Sequence, residues 1–295
     1  MRNRIKYSQN FLVDKNLVTN LINNADITEI DTVYEIGAGD GIITEQLLKK
    51  AGKVISFELD KVFFDKLTKK FQNESRLELN NEDFLSVTLP PHSYKVFSNI
   101  PFNITSAIVK KLTLENHPPS TAYLIIQREA AAKFAGKPLS SKNSQLSAIL
   151  HPWFEFKVLR DFKSSDFFPR PGVDVVFLEI KNRTRPLIDP PNKTLFQDFI
   201  TYTFNQTKSN IIEGLSSVFG KQNLISQAKN LGISPNSKPS ELSFESWIGL
   251  FNLFQALGDH YKDLVKDSFK KQIKQQENLE KINRTRIDKS WKKFK

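Results

Sequence analysis

Four neighbouring residues, Asn99-Ile100-Pro101-Phe102 within SNIPFNIT (Ser98 to Thr105), form a set that ordinary structural needs do not explain together. A β-turn would use the Asn and the Pro without the Phe, and a buried strand would use the Phe without the Pro. Chemistry accounts for the whole set. An aryl amine is a poor nucleophile because its lone pair is delocalised into the ring. The Asn99 side-chain carbonyl and the Ile100 backbone carbonyl can both accept hydrogen bonds from such an amine. Together they favour the tetrahedral geometry that localises the lone pair. Pro101 fixes its own φ and presses Ile100 towards extended backbone, which aims that carbonyl outward. Phe102 offers a face on which a flipped base can stack. No tuned general base is needed for the first step, because the product cation sheds its proton readily. The tetrad reads as an amine-methylation site.

A methyl donor is then required, and three earlier segments describe one. The first is Glu35-Ile36-Gly37-Ala38-Gly39-Asp40-Gly41, a glycine turn between an apolar run and a helical pattern, where backbone can approach a ligand closely. Its spacing is G-x-G-x-G, not the G-x-G-x-x-G of dinucleotide binders, and no Gly-Lys-Ser/Thr follows to cradle phosphates. The second is Glu58-Leu59-Asp60, with Glu58 positioned 21 residues after Gly37, where a carboxylate accepts from both ribose hydroxyls of an adenosine. The third is Glu82-Asp83-Phe84, whose Asp83 can accept from an adenine amine. An adenosine ligand with no pyrophosphate requirement fits S-adenosylmethionine better than NAD.

These residues need a scaffold that brings strand ends to one edge. The pattern predicts a helix over 14–24 capped by Asp14, then strands at Val33–Ile36, KVISFELD, LELNNEDFL, YKVFSNI and TAYLIIQ. Between them lie helices at IITEQLLKK, KVFFDKLTKKF and NITSAIVKKLTL, with a further helix at QREAAAKFAG. Strand and helix alternate with short connections. The expected fold is therefore α/β, a mainly parallel Rossmann-like sheet covered on both faces, with right-handed crossovers carrying the strands' C-terminal ends to one edge. The pattern changes after FFPRPGVDVVFLEI. RTRPLIDPPNK reads as a linker, and four segments between Thr194 and Gly258 read as short helices of a small second domain. The expected division is 1–182 catalytic, 183–260 helical and RNA-binding, and 261–295 a basic extension.

Composition limits the partners. The 295 residues carry 43 Lys+Arg against 32 Asp+Glu, and residues 261–295 alone hold 12 Lys/Arg and 5 Asp/Glu. A polyanion is the natural partner for that excess, because neutralising phosphates releases counterions. The apolar residues of the tail are too scattered for a membrane-surface helix or a core. No run is long enough to span a bilayer and no secretory signal opens the chain, so a cytoplasmic location is expected. Cysteine is absent and the four histidines (92, 117, 151 and 260) fall in no convincing site, so no metal is expected.

The same residues resemble a known family. NIPF is similar to the Asn-Leu/Ile-Pro-Phe/Tyr motif of the ribosomal RNA adenine dimethyltransferases, which include the erythromycin-resistance enzymes of 23S rRNA and the housekeeping enzymes of small-subunit rRNA. The resemblance covers about Lys6 to Ile180 and, more loosely, the helical region to about Gly258. Ser8-Gln9-Asn10-Phe11-Leu12 resembles the N-terminal signature of the family, implying that Asn10 and the Leu12 backbone hold the methionine end of the cofactor. By position, Gly37, Gly39, Glu58, Asp83 and Asn99 match its cofactor contacts. Phe167-x-Pro169-x-Pro171 resembles its F-x-P-x-P loop, implying that Phe167 closes over the flipped adenine opposite Phe102. Val175 stands where the family often has Ser. Ile100, Phe102 and the QREAAAKFAG segment look more like the resistance enzymes, so the resemblance implies a monomeric enzyme acting on 23S rRNA, with 16S rRNA as the alternative. A DNA adenine methyltransferase would bring a larger target-recognition domain, and a dehydrogenase a hydride-transfer constellation. A non-enzymatic factor on the same fold would be expected to lose the glycines, Glu58 or Asn99.

Overall fold

The structure is a computed structural model that describes residues 10–137 and 139–277. It divides into two compact units. One comprises residues up to Pro190 together with Ser240–Phe244; the other comprises Pro191–Pro239 and the residues from Glu245 onward.

The first unit opens with a short strand, β1 (Phe11–Leu12), and helix α1 (Lys15–Asn24), whose Asp14 side chain accepts from the Asn16 amide as its N-cap. Then come β2 (Thr32–Ile36), α2 (Ile42–Leu47), β3 (Lys53–Phe57), α3 (Lys61–Lys70), β4 (Leu77–Asn80), β5 (Lys95–Asn99), α4 (Thr105–Leu114), β6 (Thr121–Gln127), α5 (Arg128–Ala135) and α6 (Gln145–Leu150). The unit ends with β7 (Phe154–Asp161), β8 (Phe167–Phe168) and β9 (Val175–Asn182). Seven of the strands form one sheet in the order β4-β3-β2-β5-β6-β9-β7. The five strands from β4 to β6 are parallel, while β9 runs antiparallel between β6 and β7. The antiparallel pair β7–β9 lay beyond the strand-helix alternation read from the sequence, and it closes the sheet without a crossover helix. Central strands are apolar on both faces, as helices on both sides require: Val33, Val54, Phe97 and Ile125 are buried in one core. The chain order reverses between β2 and β5, which opens a crevice at their C-terminal ends.

The first unit extends past the expected boundary at 182. The Arg183 amide donates to the Trp153 carbonyl, its guanidinium pairs with Glu155, and the Leu187 amide donates to the Pro152 carbonyl. Residues 240–244 also return to it. Asn143 receives them, its backbone amide donating to the Ser240 carbonyl and its side-chain amide to the Leu242 carbonyl, while the Phe244 ring stacks on His151.

The second unit contains α7 (Lys193–Phe204), α8 (Ile211–Phe219), α9 (Lys221–Asn230), α10 (Phe244–Gln255), α11 (Asp259–Val265) and α12 (Ser268–Glu277). Its core is aromatic: Phe199 stacks on Phe254 with centroids 4.8 Å apart and meets Trp247 edge to face. The beginning of the basic extension belongs to this unit. Helices α11 and α12 pack against α7, Val265 is fully buried, and the buried Asp198 carboxylate accepts from the Asp267 and Phe269 amides, both at 2.9 Å. The expectation of an unpacked tail from 261 is corrected for residues 261–277; one buried Val and a carboxylate capping a helix start replace the continuous apolar face that sequence reading looked for. The rest of the extension lies outside the described residues.

Candidate active site

At the end of β2, Gly37 has φ +76° and Gly39 φ +57°, a backbone that side chains rarely tolerate. A Cβ at Gly39 would sit 2.8 Å from the Phe11 ring. At Gly37 the nearest atom to such a Cβ is Pro101 Cδ at 3.8 Å, so the turn and the methylation tetrad face each other. The turn is held by the Gly37 amide, which donates to the Phe57 carbonyl at 2.8 Å, and by the Ser98 hydroxyl, which donates to the Ile36 carbonyl.

One cleft is lined by Asn10, Phe11, Leu12, Gly37–Asp40, Ile42, Ile43 and Asn99–Phe102. The structure thus brings together eight residues singled out from the sequence outside the acidic strand ends: Asn10, Leu12, Gly37, Gly39, Asn99, Ile100, Pro101 and Phe102. The Asn99 Nδ2 donates to the Asn10 carbonyl at 2.7 Å, and the Asn10 Nδ2 donates to the Pro169 carbonyl at 2.6 Å. The first bond orients the Asn99 amide: its nitrogen is committed, which leaves Oδ1 as an acceptor. The Ile100 amide donates to the Ile125 carbonyl, and among the described residues nothing donates to the Ile100 carbonyl. Asn99 Oδ1 and the carbonyl of the next residue, Ile100, are therefore both available as acceptors. Ser8 and Gln9 of the N-terminal signature lie outside the described residues.

Glu58 and Asp83 are not part of that cleft's lining; they continue the same sheet edge. Glu58 follows β3 and is 3% exposed. Its Oε2 accepts from the Gly39 amide and its Oε1 from the Asp60 amide, both at 2.8 Å, while burial pushes its carboxyl above the usual range. Asp83, exposed beyond β4, accepts from the Leu85 amide at 2.9 Å and caps the short turn Phe84–Ser86. Lys111 donates to the Leu85 carbonyl and steadies that turn. Asp83, Glu58, Gly37 and Asn99 stand at the ends of four adjacent strands, so they span about 14 Å along the edge. An edge of that length, with glycine at its middle and carboxylates at one end, fits a nucleoside bearing an amino-acid arm.

Phe167 is where sequence and structure part. It is 2% exposed, with its ring 5.3 Å from Phe162 in the core that also holds Leu12. The expected closure of Phe167 over a base opposite Phe102 is corrected by this burial. Successive strand residues point to opposite faces, and β8 pairs antiparallel with β1, so Phe167 opposite Leu12 turns inward while Phe168 opposite Phe11 turns outward. Val175 is buried in the same core, so an apolar residue packs where the family often has Ser.

Sequence reading overlooked two participants. Phe11, although inside the recognised signature, was given no role, yet its ring meets Gly39 and lies 5.5 Å from Phe63. Glu35 is 1% exposed in β2; its Oε2 accepts from the Thr44 hydroxyl at 2.6 Å and the Ser56 hydroxyl at 2.7 Å, while Oε1 has no partner. Burial pushes its carboxyl up to about 7. The signal was present: a lone acid inside the apolar run VYEI. Among the described residues there is no cluster able to hold a metal ion, and no helix long and apolar enough to cross a membrane.

Comparisons with known proteins bear on the family. A family model described as ribosomal RNA adenine dimethylase matches residues 1–256. A ribosomal RNA small subunit methyltransferase A from Caldanaerobacter subterraneus subsp. tengcongensis is 29% identical over 266 residues, covering 87% of this chain and 99% of that protein. An rRNA adenine N-6-methyltransferase from Bacillus licheniformis is 29% identical over 257 residues, covering 86% of this chain and 88% of that one. Among solved structures, the 23S rRNA methyltransferase ErmE superposes with a TM-score of 0.76 at 26% identity, covering 83% of this chain and all of that chain. A match over most of the chain, on a Rossmann-like fold whose switch point carries Asn99–Phe102, places the protein in the ribosomal RNA adenine dimethylase family of S-adenosylmethionine-dependent rRNA adenine N6-methyltransferases.

Proposed function

We propose that the chain methylates N6 of one adenine in 23S rRNA, to the dimethyl product, and so protects the ribosome from macrolide-type antibiotics. It would act in the cytoplasm as a monomer. The observation that carries the 23S reading is the fold match to ErmE over that chain's whole length, joined to Ile100 and Phe102 in the tetrad. A second reading, maturation of small-subunit rRNA, is favoured by the Caldanaerobacter relative, which matches over nearly all of its own length.

In this mechanism, bound S-adenosylmethionine supplies an electrophilic methyl group on a sulfonium. Asn10 and the Leu12 backbone hold its methionine end, Gly37 and Gly39 let it lie against the backbone, Glu58 accepts from the ribose and Asp83 from the adenine. Asn99 Oδ1 and the Ile100 carbonyl accept the two N–H groups of the target amine. Both acceptors are oriented before the substrate arrives, so they act most strongly as the nitrogen becomes tetrahedral. Phe102 stacks on the flipped base. After transfer, the nitrogen carries a positive charge and releases its proton to water.

Tritiated-methyl transfer to 23S and 16S transcripts, with primer extension to locate the stop, tests the assignment. Label in 23S alone supports it. Label in 16S alone establishes the second reading instead.

A further inference from the structure

Phe168 is 72% exposed, while the residue before it is buried. Its position is nevertheless well defined. It pairs with Phe11 across the short β1–β8 ladder, the Val13 amide donates to the Asp166 carbonyl at 3.1 Å, and the Asn10 side chain holds the next carbonyl, that of Pro169. Asn10 is also the partner of Asn99. Two hydrogen bonds therefore connect the methyl-acceptor site to the corner that carries Phe168. The ring itself is not part of the cleft lining, where Phe102 already offers a face to the target base. Arg170 and Lys163 are exposed near it in the chain, and among the described residues neither forms an ion pair.

We propose that Phe168 is a stacking platform for a nucleotide flanking the target adenine, with Arg170 and Lys163 meeting the adjoining phosphates. An exposed aromatic face whose ladder partner, Phe11, lines the cleft, with exposed cations five residues before it and two after it in the chain, matches the chemistry of single-stranded nucleic-acid sites. When the target base is flipped out of its stack, its neighbour loses a stacking partner, and Phe168 replaces it. The inference rests on the reading of the cleft as an RNA adenine site, and it adds a residue that holds the RNA beside the target without touching the reacting atoms.

The test uses Phe168→Ala and Phe168→Trp in the full chain, with 23S and 16S transcripts as substrates. Phe168→Ala is expected to raise KM for RNA by roughly 5- to 150-fold, the range for loss of one base–aromatic stack. The kcat and the calorimetric affinity for S-adenosylmethionine should stay within about two-fold, and Phe168→Trp should restore KM. With 2-aminopurine placed in turn at the mapped adenine and on either side of it, binding should change fluorescence at one flanking position, and Phe168→Ala should abolish that change while leaving the signal at the target position. An unaltered KM overturns the proposal. So does loss of cofactor affinity or of melting temperature in both variants, which would make the ring structural. A signal lost only at the target adenine would also overturn it by assigning the ring to that base. If the wild type methylates neither transcript, the rRNA reading fails separately. Affinity for oligoadenylate then decides, weakened in Phe168→Ala if the platform binds bases and unchanged if it does not.

Discussion

Glu35 offers a quantitative test of how the core beneath the cofactor turn is built. A carboxyl held at about 7, against an ordinary 4.5, makes the ionised form cost about 3 kcal/mol in the folded state. The cause is complete burial, offset in part by the hydroxyls of Ser56 and Thr44 and reinforced by the negative charge of Glu58. The folded pKa lies above the unfolded one. Between pH 4.5 and 7 the native state therefore binds more protons than the unfolded chain, and stability falls as pH rises through that window. Above pH 7 the full penalty persists. Glu35→Gln keeps an oxygen for both hydroxyls and cannot ionise. The stability difference, variant minus wild type, should grow by about 3 kcal/mol between pH 4.5 and 7.5. Burial raises Glu58 as well, and because the charge of Glu58 acts on Glu35 the difference between variant and wild type reads Glu35 together with its coupling to Glu58. Urea unfolding followed through hydrogen exchange of the β2 and β3 amides reads this unit directly. A difference independent of pH over that range would refute the argument.

Glu58→Ala should weaken S-adenosylmethionine binding by about 1 to 3 kcal/mol in calorimetry. It should also lower the melting temperature, because the Gly39 and Asp60 amides lose their acceptor; unchanged affinity would remove Glu58 from the site. Asn99→Ala should reduce single-turnover methylation far more than RNA binding, since its Oδ1 is needed most as the amine changes geometry; loss of RNA affinity with an unchanged rate would reverse its assigned role. Ending the chain at Glu277 should leave the melting temperature unaltered and flatten the salt dependence of RNA binding, by about 0.7 to 0.9 in slope for each phosphate no longer neutralised. Ending it at Gly258 should destabilise the second unit, because Asp198 and Val265 lose their partners; equal melting temperatures for the two truncations would contradict that packing.

The sequence by itself determined the parts of this protein whose physics is local. Glycines at Gly37 and Gly39 announce left-handed backbone, alternating apolar periods announce strand and helix, and Glu58 and Asp83 stand out as acids just past the ends of two strands. Pro101 constrains Ile100 whatever surrounds it. Only the tertiary structure decided matters that depend on residues far apart in the chain. The pairing of β8 with β1, more than 150 residues earlier, turned Phe167 inward and Phe168 outward, since a shift of one residue exchanges the faces of a strand. The hydrogen bond from Asn99 to Asn10, 89 residues earlier, fixed which end of the amide is committed within the protein and which remains an acceptor. Burial of Glu35 depends on helices and strands on every side of β2, and the return of 240–244 depends on Asn143, Lys137 and His151, about 100 residues earlier in the chain. A local pattern can state that an acid, an amide or an aromatic is present; its protonation, orientation and exposure are set by what long-range folding places against it.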